Sequence, residues 1–130
     1  ASVATNCVQS GVVNATSCVY SIYAKQGSGA TDANLFSVYN NTSSTLLAAL
    51  SINYSTGVVT QTTGTGATST NAGNGWYRCS IAFTSLFGSS NFNVFLSTDG
   101  STTNYLGDIT KGVYLFGAQM QKGSNLTQYY

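Results

Sequence analysis

The chain has 130 residues, of which 42% are apolar and only 5% charged, and its formal net charge is +1. This length is enough for one hydrophobic core but not for two, so we predict a single domain over residues 1–130. The four basic residues are scattered and no apolar run reaches the about 20 residues of a membrane span, which excludes a nucleic-acid surface and a membrane-bound segment.

Short runs with strand character lie between glycine-marked turns, and proline is absent. In chain order, the predicted strands lie near residues 8–13, 18–25, 35–39, 46–54, 58–62, 76–83, 92–97 and 113–120. These runs are rich in β-branched and aromatic residues, which suit a pleated and half-buried surface. Turn signals recur at a spacing of roughly ten residues, which is typical of an all-β sandwich or barrel.

Alternation within two of these runs predicts which face is buried, because successive residues of a strand point to opposite faces. The predicted core faces are Cys18, Tyr20, Ile22 and Ala24 in one run, and Tyr77, Cys79, Ile81 and Phe83 in the other. The opposite faces are Val19, Ser21, Tyr23 and Lys25, and Trp76, Arg78, Ser80 and Ala82.

Residues 46–62 are predicted to form a β-hairpin, because the turn-forming segment 53–57 joins two strand-like runs. Residues 45–50 contain good helix formers, but the segment is short and continues into strand-like sequence, so we interpret it as a strand. Residues 60–74 are poor in apolar side chains and rich in Thr, Gly and Ser. They predict a long exposed loop, either a contact loop or a solvated connector.

The three cysteines are Cys7, Cys18 and Cys79, an odd number that does not make a closed disulfide framework. Cys18 and Cys79 lie within predicted strands, so we interpret them as small buried hydrophobic side chains with inert thiols. A Cys7–Cys18 disulfide is the alternative. The chain has no histidine, which argues against a zinc site.

Four segments along the chain carry a family resemblance. They are Tyr20-Ser21-Ile22-Tyr23-Ala24-Lys25, Ser55-Thr56-Gly57-Val58-Val59, Asn74-Gly75-Trp76-Tyr77-Arg78-Cys79-Ser80 and Val113-Tyr114-Leu115-Phe116-Gly117-Ala118-Gln119-Met120, the last followed by Gly123-Ser124 and Tyr129. In order, they resemble a Ser-aliphatic-Tyr-aliphatic-Lys strand, a hairpin turn, a Gly-Trp-Tyr-Arg strand start and a closing Tyr-aliphatic-Trp-Gly-Ala-Gln-Leu-Glu strand. Together they resemble the concanavalin-like, carbohydrate-binding-module-like jelly-roll domains of tailed-phage virion proteins, especially tail fibres and related surface appendages.

This resemblance covers about residues 8–129 and implies an all-β fold, an antiparallel two-sheet jelly-roll β-sandwich. The chain departs from the family pattern at Phe116, where Trp is usual, and at Gln121, where Glu often lies. The resemblance implies a module on the surface of a phage particle, in a fibre, spike or decoration protein. A shared fold does not fix the ligand.

Catalysis is not expected from this composition. Without histidine, neither a Ser-His-Asp nor a Cys-His arrangement can form within the chain. Its only carboxylates are Asp32, Asp99 and Asp108, whereas most glycosidases need two that face each other across a cleft. All three lie near glycines and are explained as turn residues. We therefore predict that the protein is not an enzyme and has no cofactor.

A calcium site is a weak alternative for the segment around Asp99. Calcium takes about six to eight oxygen ligands, often from several carboxylates, and Asp99 and Asp108 could supply two of them. The simpler interpretation is a polar hairpin loop capped by Asp99, so no metal is predicted.

Aromatic side chains are the candidates for a ligand site, because a flat ring stacks on a sugar while polar neighbours fix its hydroxyls. The aromatic candidates are Trp76, Tyr77, Tyr105, Tyr114, Phe116, Tyr129 and Tyr130. Since Tyr105 lies in a polar loop, we predict a glycan site at Tyr105, Asn104 and Asp99, with Trp76 as a further contact. The alternative for Trp76 is packing, and the Asn and Tyr content also suits a wet protein–protein interface.

Two charged residues, Lys25 and Arg78, lie inside predicted strands. We expect them to pair with Asp108 or Asp32 at a sheet edge, where charges block unwanted strand addition.

These observations lead to one functional hypothesis and one alternative. The hypothesis is a non-catalytic virion surface module that adheres to a host-surface glycan. The alternative is a structural capsid or fibre domain that stabilises the particle through protein–protein contacts. The expected partners are other virion proteins, further copies of this chain and a glycan, with no nucleic acid and no membrane. The expected location is the surface of the virion.

Overall fold

The computed structural model describes residues 3–4, 6–13, 16–27, 33–85, 88–97, 104–105 and 112–129, with side-chain burial given for 17–27, 36–85, 90–91, 93–94 and 112–129. Within these ranges the secondary structure consists of β-strands. They are β1 (Val3–Ala4), β2 (Asn6–Val13), β3 (Thr16–Gln26), β4 (Ala33–Asn40), β5 (Thr45–Asn53), β6 (Val59–Thr63), β7 (Thr65–Gly73), β8 (Trp76–Ser85), β9 (Gly88–Ser97), β10 (Asn104–Tyr105) and β11 (Val113–Lys122).

The predicted all-β class is confirmed over the described ranges, none of which contains a helix. It follows that no described segment is a helix of the length and apolarity needed to cross a bilayer. Each predicted strand overlaps an observed one. Most of the observed strands are longer, whereas β5 and β6 are shifted from their predicted bounds by one residue.

The strands form two larger antiparallel sheets and one small one. A four-stranded sheet has the order β11-β3-β8-β7, and a five-stranded sheet has the order β2-β9-β4-β5-β6. The short strands β1 and β10 pair with each other. All these pairings are antiparallel. Buried side chains from both larger sheets form one cluster, so the sheets pack face to face as a β-sandwich.

The core lies between these sheets and contains the residues that alternation predicts. From the four-stranded sheet it takes Cys18, Tyr20, Ile22, Ala24, Cys79, Ile81 and Phe83, from the five-stranded sheet Phe36, Val38, Ala48, Leu50, Ile52 and Val94, and from the turn after β5 Tyr54. Tyr77 differs from the prediction, because it is half-buried and packs against the rim of this cluster beside Tyr54.

The predicted hairpin over residues 46–62 is confirmed as the antiparallel pair β5–β6. Its turn is closed by Asn53, whose backbone carbonyl accepts from Gly57 N at 2.8 Å and whose side-chain oxygen accepts from Ser55 N at 2.9 Å. The helix formers of residues 45–50 lie in β5 because this strand is paired on both sides, with β4 and β6. Tertiary pairing here outweighs the local helix preference.

The predicted loop over residues 60–74 is wrong, because this segment forms most of β6 and all of β7. β6 and β7 are outer strands of the two different sheets. An outer strand buries few side chains, so its sequence lacks the apolar alternation that marks an inner strand. The threonines of β6 and β7 are β-branched and favour the extended backbone.

Gly64 makes the corner at which the chain leaves one sheet and enters the other. Its φ of +91° is a backbone conformation that L side chains rarely adopt, and a Cβ atom here would lie 2.9 Å from the carbonyl oxygen of Ala82. The Gln61 side chain braces the corner: its amide donates to Gly64 O at 2.7 Å, and its oxygen accepts from Ala67 N at 2.9 Å. The corner therefore needs a glycine for two separate reasons.

The two described cysteines support the interpretation of inert thiols. Cys18 and Cys79 are both buried and free, which excludes the Cys7–Cys18 disulfide. Burial raises the pKa of the Cys79 thiol to about 12, so almost no reactive thiolate is present at neutral pH. Burial likewise raises the pKa of Tyr54, and the neighbouring Cys79 adds to the shift. The side chain of Cys7 lies outside the described residues.

We predict that Gly64→Ala lowers the free energy of unfolding by about 1–3 kcal/mol more than Gly73→Ala does. Gly73 is a matched control, because its φ of +88° is nearly the same while a Cβ atom there would meet no atom within 4 Å. Urea denaturation of both variants measures the difference. Equal losses would show that backbone strain alone, and not the contact with Ala82, requires a glycine at the corner.

Candidate functional site

The predicted glycan site around Tyr105 falls largely outside the described side chains. Asn104 and Tyr105 form β10, which pairs with Ala4 and Val3 of β1, but only their backbone is described. Asp99 and Asp108 lie outside the described residues. The glycan contacts of Tyr105, Asn104 and Asp99, and the weak calcium alternative at Asp99 and Asp108, therefore stay predictions.

Among the described side chains, no group of three or more His, Cys, Asp or Glu residues could hold a metal ion. Every carboxylate side chain of the sequence, at Asp32, Asp99 and Asp108, falls outside the described ranges.

The expectation that Lys25 and Arg78 lie at a sheet edge is wrong. They belong to β3 and β8, which are the two inner strands of the four-stranded sheet. Edge protection therefore cannot explain these charges. Their expected pairing with Asp108 or Asp32 stays a prediction, because both aspartates lie outside the described residues.

The outer face of the four-stranded sheet, which points away from the core, carries an ordered set of side chains. Residues paired across antiparallel strands share a face, and successive pairs on that face lie about 6.8 Å apart. From β11 across β3 and β8 to β7, the rows are Tyr114–Lys25–Trp76, Phe116–Tyr23–Arg78–Thr70, Gln119–Ser21–Ser80–Thr68 and Gln121–Val19–Ala82–Thr65. The first two rows are aromatic and basic, and the third is polar.

Four rings of this face form an aromatic cluster, defined here as Tyr23, Trp76, Phe116 and Tyr129. Phe116 is its centre, with ring centroids 4.9 Å from Tyr23, 6.0 Å from Trp76 and 5.4 Å from Tyr129. The Trp76 and Tyr129 rings meet it edge to face, the arrangement that aromatic quadrupoles favour. Phe116 nevertheless remains 51% exposed, and Tyr114 in the neighbouring row is 58% exposed.

A β-bulge in β11 lets the cluster close. The pairing with β3 shifts register between Phe116 and Gln119, and Gly117 has a φ of +62° at this point. A Cβ atom on Gly117 would lie 3.1 Å from the Tyr23 ring and 3.3 Å from the Tyr129 ring. The bulge glycine therefore supplies both the backbone conformation and the space into which Tyr129 packs.

The segment after β11 returns along the outer face. Gly123 N donates to Ser17 O at 2.7 Å, Thr127 N donates to the Gln121 side-chain oxygen at 3.0 Å, and the Gln121 amide also contacts the Thr127 hydroxyl. Two residues further on, Tyr129 reaches the aromatic cluster. The segment thus runs beside the polar end of the face, where Val19 and Ser21 are buried although they point away from the core.

Arg78 lies at the border between the aromatic and polar rows. Its guanidinium carbon is 5.5 Å from the centroid of the Tyr23 ring, within the range of a cation–π contact. One Nη donates to the Ser21 hydroxyl over a long 3.4 Å. Its Nε is buried and has no hydrogen-bond partner among the described residues. The guanidinium therefore uses little of its capacity to donate.

The third row adds further polar groups beside Arg78. The Thr68 and Ser80 hydroxyls share a hydrogen bond of 2.8 Å. The side-chain oxygen of Gln119, next to Ser21, is buried without a hydrogen-bond partner among the described residues. A buried polar atom left unpaired costs about 1–3 kcal/mol, and Ser21 and Ser80 of the same row are buried as well.

A separate concavity lies at the corner of the sandwich and offers a weaker site. It has a volume of about 210 Å³, and its lining includes Cys18, Leu47, Gly64, Phe83 and Thr84. These side chains carry no charge, and no aromatic platform faces a polar row there. The outer face of the four-stranded sheet is therefore the better candidate site.

No protein-family model matches this chain, and no curated protein sequence matches it significantly. Support for a function therefore comes from the site itself and from the sequence motifs.

The sequence predicted which aromatic residues are candidates for a site, but not which of them lie together in the fold. Trp76, Tyr114, Phe116 and Tyr129 were all among the aromatic candidates, but nothing in the sequence placed them together. Tyr23 was missed as a site residue, although its position on the face opposite Tyr20 and Ile22 was predicted correctly. The signal that joins them is the cross-strand register, which a single sequence does not reveal.

We predict that Gly117→Ala costs about 1 kcal/mol more unfolding free energy than Gly66→Ala, because the added methyl group pushes on the Tyr23 and Tyr129 rings. Gly66 has a nearly identical φ of +61°, and a Cβ atom there would meet no atom within 4 Å. Near-ultraviolet circular dichroism should change in Gly117→Ala and not in Gly66→Ala. An unchanged aromatic spectrum in both would contradict the packing of Tyr129 on the bulge.

Proposed function

We propose that this protein is a non-catalytic glycan-binding module, and that it holds a sugar on the outer face of the four-stranded sheet. The observation that supports the proposal is the exposure of Phe116 and Tyr114 in the two rows that also hold Lys25 and Arg78. Large aromatic rings normally lose most of their surface to a core, whereas these two are 51% and 58% exposed although they stand on a well-formed sheet.

The arrangement of side chains matches the apolar face and the polar edge of a sugar ring. The apolar C–H face of a pyranose stacks on an aromatic ring, and hydroxyl groups at its edge need donors and acceptors within hydrogen-bond reach. Phe116 and Tyr114 supply rings, and the half-buried guanidinium of Arg78, in the same row as Phe116, supplies donors for the hydroxyl groups. The proposed contacts thus lie on strands, which hold them more rigidly than loops.

The biological setting that we propose is the surface of a tailed-phage particle, where the module adheres to a host-surface glycan. Its support is the resemblance of four ordered motifs to phage fibre and appendage domains. A chain with only 5% charged residues also suits a part of a large assembly that meets neutral surfaces. Other virion proteins and further copies of this chain are its proposed partners.

We also propose the finer topology, a jelly roll. Early and late strands pair with each other, since β2 pairs with β9 and β3 pairs with β8 and β11. The chain passes from one sheet to the other between β2 and β3, between β3 and β4, and between β8 and β9. Such interleaving of distant strands is what the jelly roll requires.

A structural role is the second candidate, and the same surface favours it. Exposed Tyr and Phe side chains with few charges around them are the composition of a protein–protein interface core. In this case the aromatic cluster would pack on a neighbouring virion protein and stabilise the capsid or fibre without recognising a glycan.

A glycan array followed by titration calorimetry tests the proposal. We predict that Phe116→Ala and Tyr114→Ala each weaken binding by at least about tenfold, which corresponds to about 1.4 kcal/mol. Val58→Ala is the matched control, because Val58 is 59% exposed but lies beside the β5–β6 turn of the other sheet, and its affinity should not change. Tyr105→Ala tests the site that the sequence predicts.

The outcomes separate the candidates. Binding that is lost in Tyr105→Ala but kept in Phe116→Ala would move the site to β10 and contradict the outer face. No binding to any glycan by the folded protein, together with a large buried contact to another virion protein, would establish the structural role instead.

A further inference from the structure

We infer that the glycan held by this face is acidic, and that Lys25 and Arg78 bind its carboxylate. This inference rests on the proposed function and adds a ligand class to it. Lys25 and Arg78 lie beside the aromatic cluster, and the described contacts of Arg78 are neutral.

Both cations flank the aromatic cluster. Lys25 pairs with Trp76 and Tyr114 in the first row, and Arg78 pairs with Tyr23 in the second. Both residues are half-buried, so part of each side chain is still exposed to solvent. The Lys25 stem runs beside the turn before β8, since a Cβ atom on Gly75 would lie 3.5 Å from its Cε. Lys25 thus lies on the same face as Trp76 and Tyr114.

The described contacts of Arg78 leave part of its guanidinium unused. The described contacts of Arg78 are the Ser21 hydroxyl and the Tyr23 ring, and both of these are neutral. Its Nε is buried without a hydrogen-bond partner in the described part of the chain. A guanidinium has five donors in a fork that matches a carboxylate, and charge-assisted bonds of this kind are about twice as strong as neutral ones.

The described rows of the outer face hold no charged side chain besides these two cations. The sequence has four basic and three acidic residues in all, and the rows of the outer face carry Lys25 and Arg78 together with neutral side chains only. The third described cation, Lys122, is paired with Cys18 at the far end of β11. Within the described rows the charge is therefore positive, and nearby rings that reduce the dielectric strengthen the attraction of these two cations for an anionic ligand.

The rings select a sugar over other anions. A free phosphate or an acidic peptide would satisfy the two cations but would leave Phe116 and Tyr114 without a flat apolar partner. An oligosaccharide that contains a uronic acid has both parts, a C–H face for the rings and a carboxylate for the cations. This combination is the reason to propose an acidic glycan rather than an acidic peptide.

The experiment compares acidic oligosaccharides with their carboxyl methyl esters, printed in pairs on one array and titrated against the whole chain. We expect the free acid of the best ligand to bind at least about tenfold more tightly than its ester, with a preference that declines as sodium chloride is raised. Lys25→Gln and Arg78→Gln should each bind the free acid no more tightly than the ester. Lys122→Gln, a matched exposed cation, should keep the preference.

Each outcome has a distinct meaning. Equal binding of acid and ester would overturn the acidic ligand and leave the proposed glycan-binding function standing. Binding of an acidic peptide but of no glycan would overturn both. If Arg78→Gln does not fold, Lys25→Gln decides. A preference for the acid that survives Lys25→Gln would contradict the assignment of the carboxylate to these residues.

Discussion

The pairing of β3 with β8 is the constraint on which the rest of the structure depends. Its register runs from Thr16 opposite Ser85 to Lys25 opposite Trp76, through the centre of the four-stranded sheet. Because side chains alternate with a period of two, this one register sends Cys79 and Ile81 into the core and Trp76 and Arg78 to the outer face. A slip by one residue would exchange the two faces, so the core and the candidate site are fixed together.

The candidate site and the core are two consequences of the same strands, but they differ in what stabilises them. The core is stabilised by burial of apolar surface between the sheets. The outer face instead depends on ring contacts around Phe116, on the glycine bulge at Gly117 and on the returning segment that brings Tyr129 back to β3. Its exposed aromatic surface is costly for the free protein, and a bound ligand or partner would remove that cost.

Sequence reasoning was successful where a strand is inner and amphipathic, and it was wrong where a strand is outer or a site depends on register. Alternation predicted the buried faces of β3 and β8, because inner strands must bury one face. It missed β7, because this outer strand consists mostly of Thr, Ser and Asn and shows no apolar alternation. It also placed Lys25 at a sheet edge, whereas β3 is an inner strand. The aromatic cluster joins residues from three strands and the C-terminal segment, and only the fold brings them together.

The fluorescence of Trp76, which is the only tryptophan in the sequence and a member of the aromatic cluster, reports directly on a ligand bound to this face. A glycan that stacks on this face changes the polarity around the indole, so its emission should shift or be quenched in a saturable way, with the same dissociation constant that calorimetry gives. Saturable glycan binding that leaves the Trp76 emission unchanged would place the ligand on another part of the protein and contradict a site on the outer face of the four-stranded sheet.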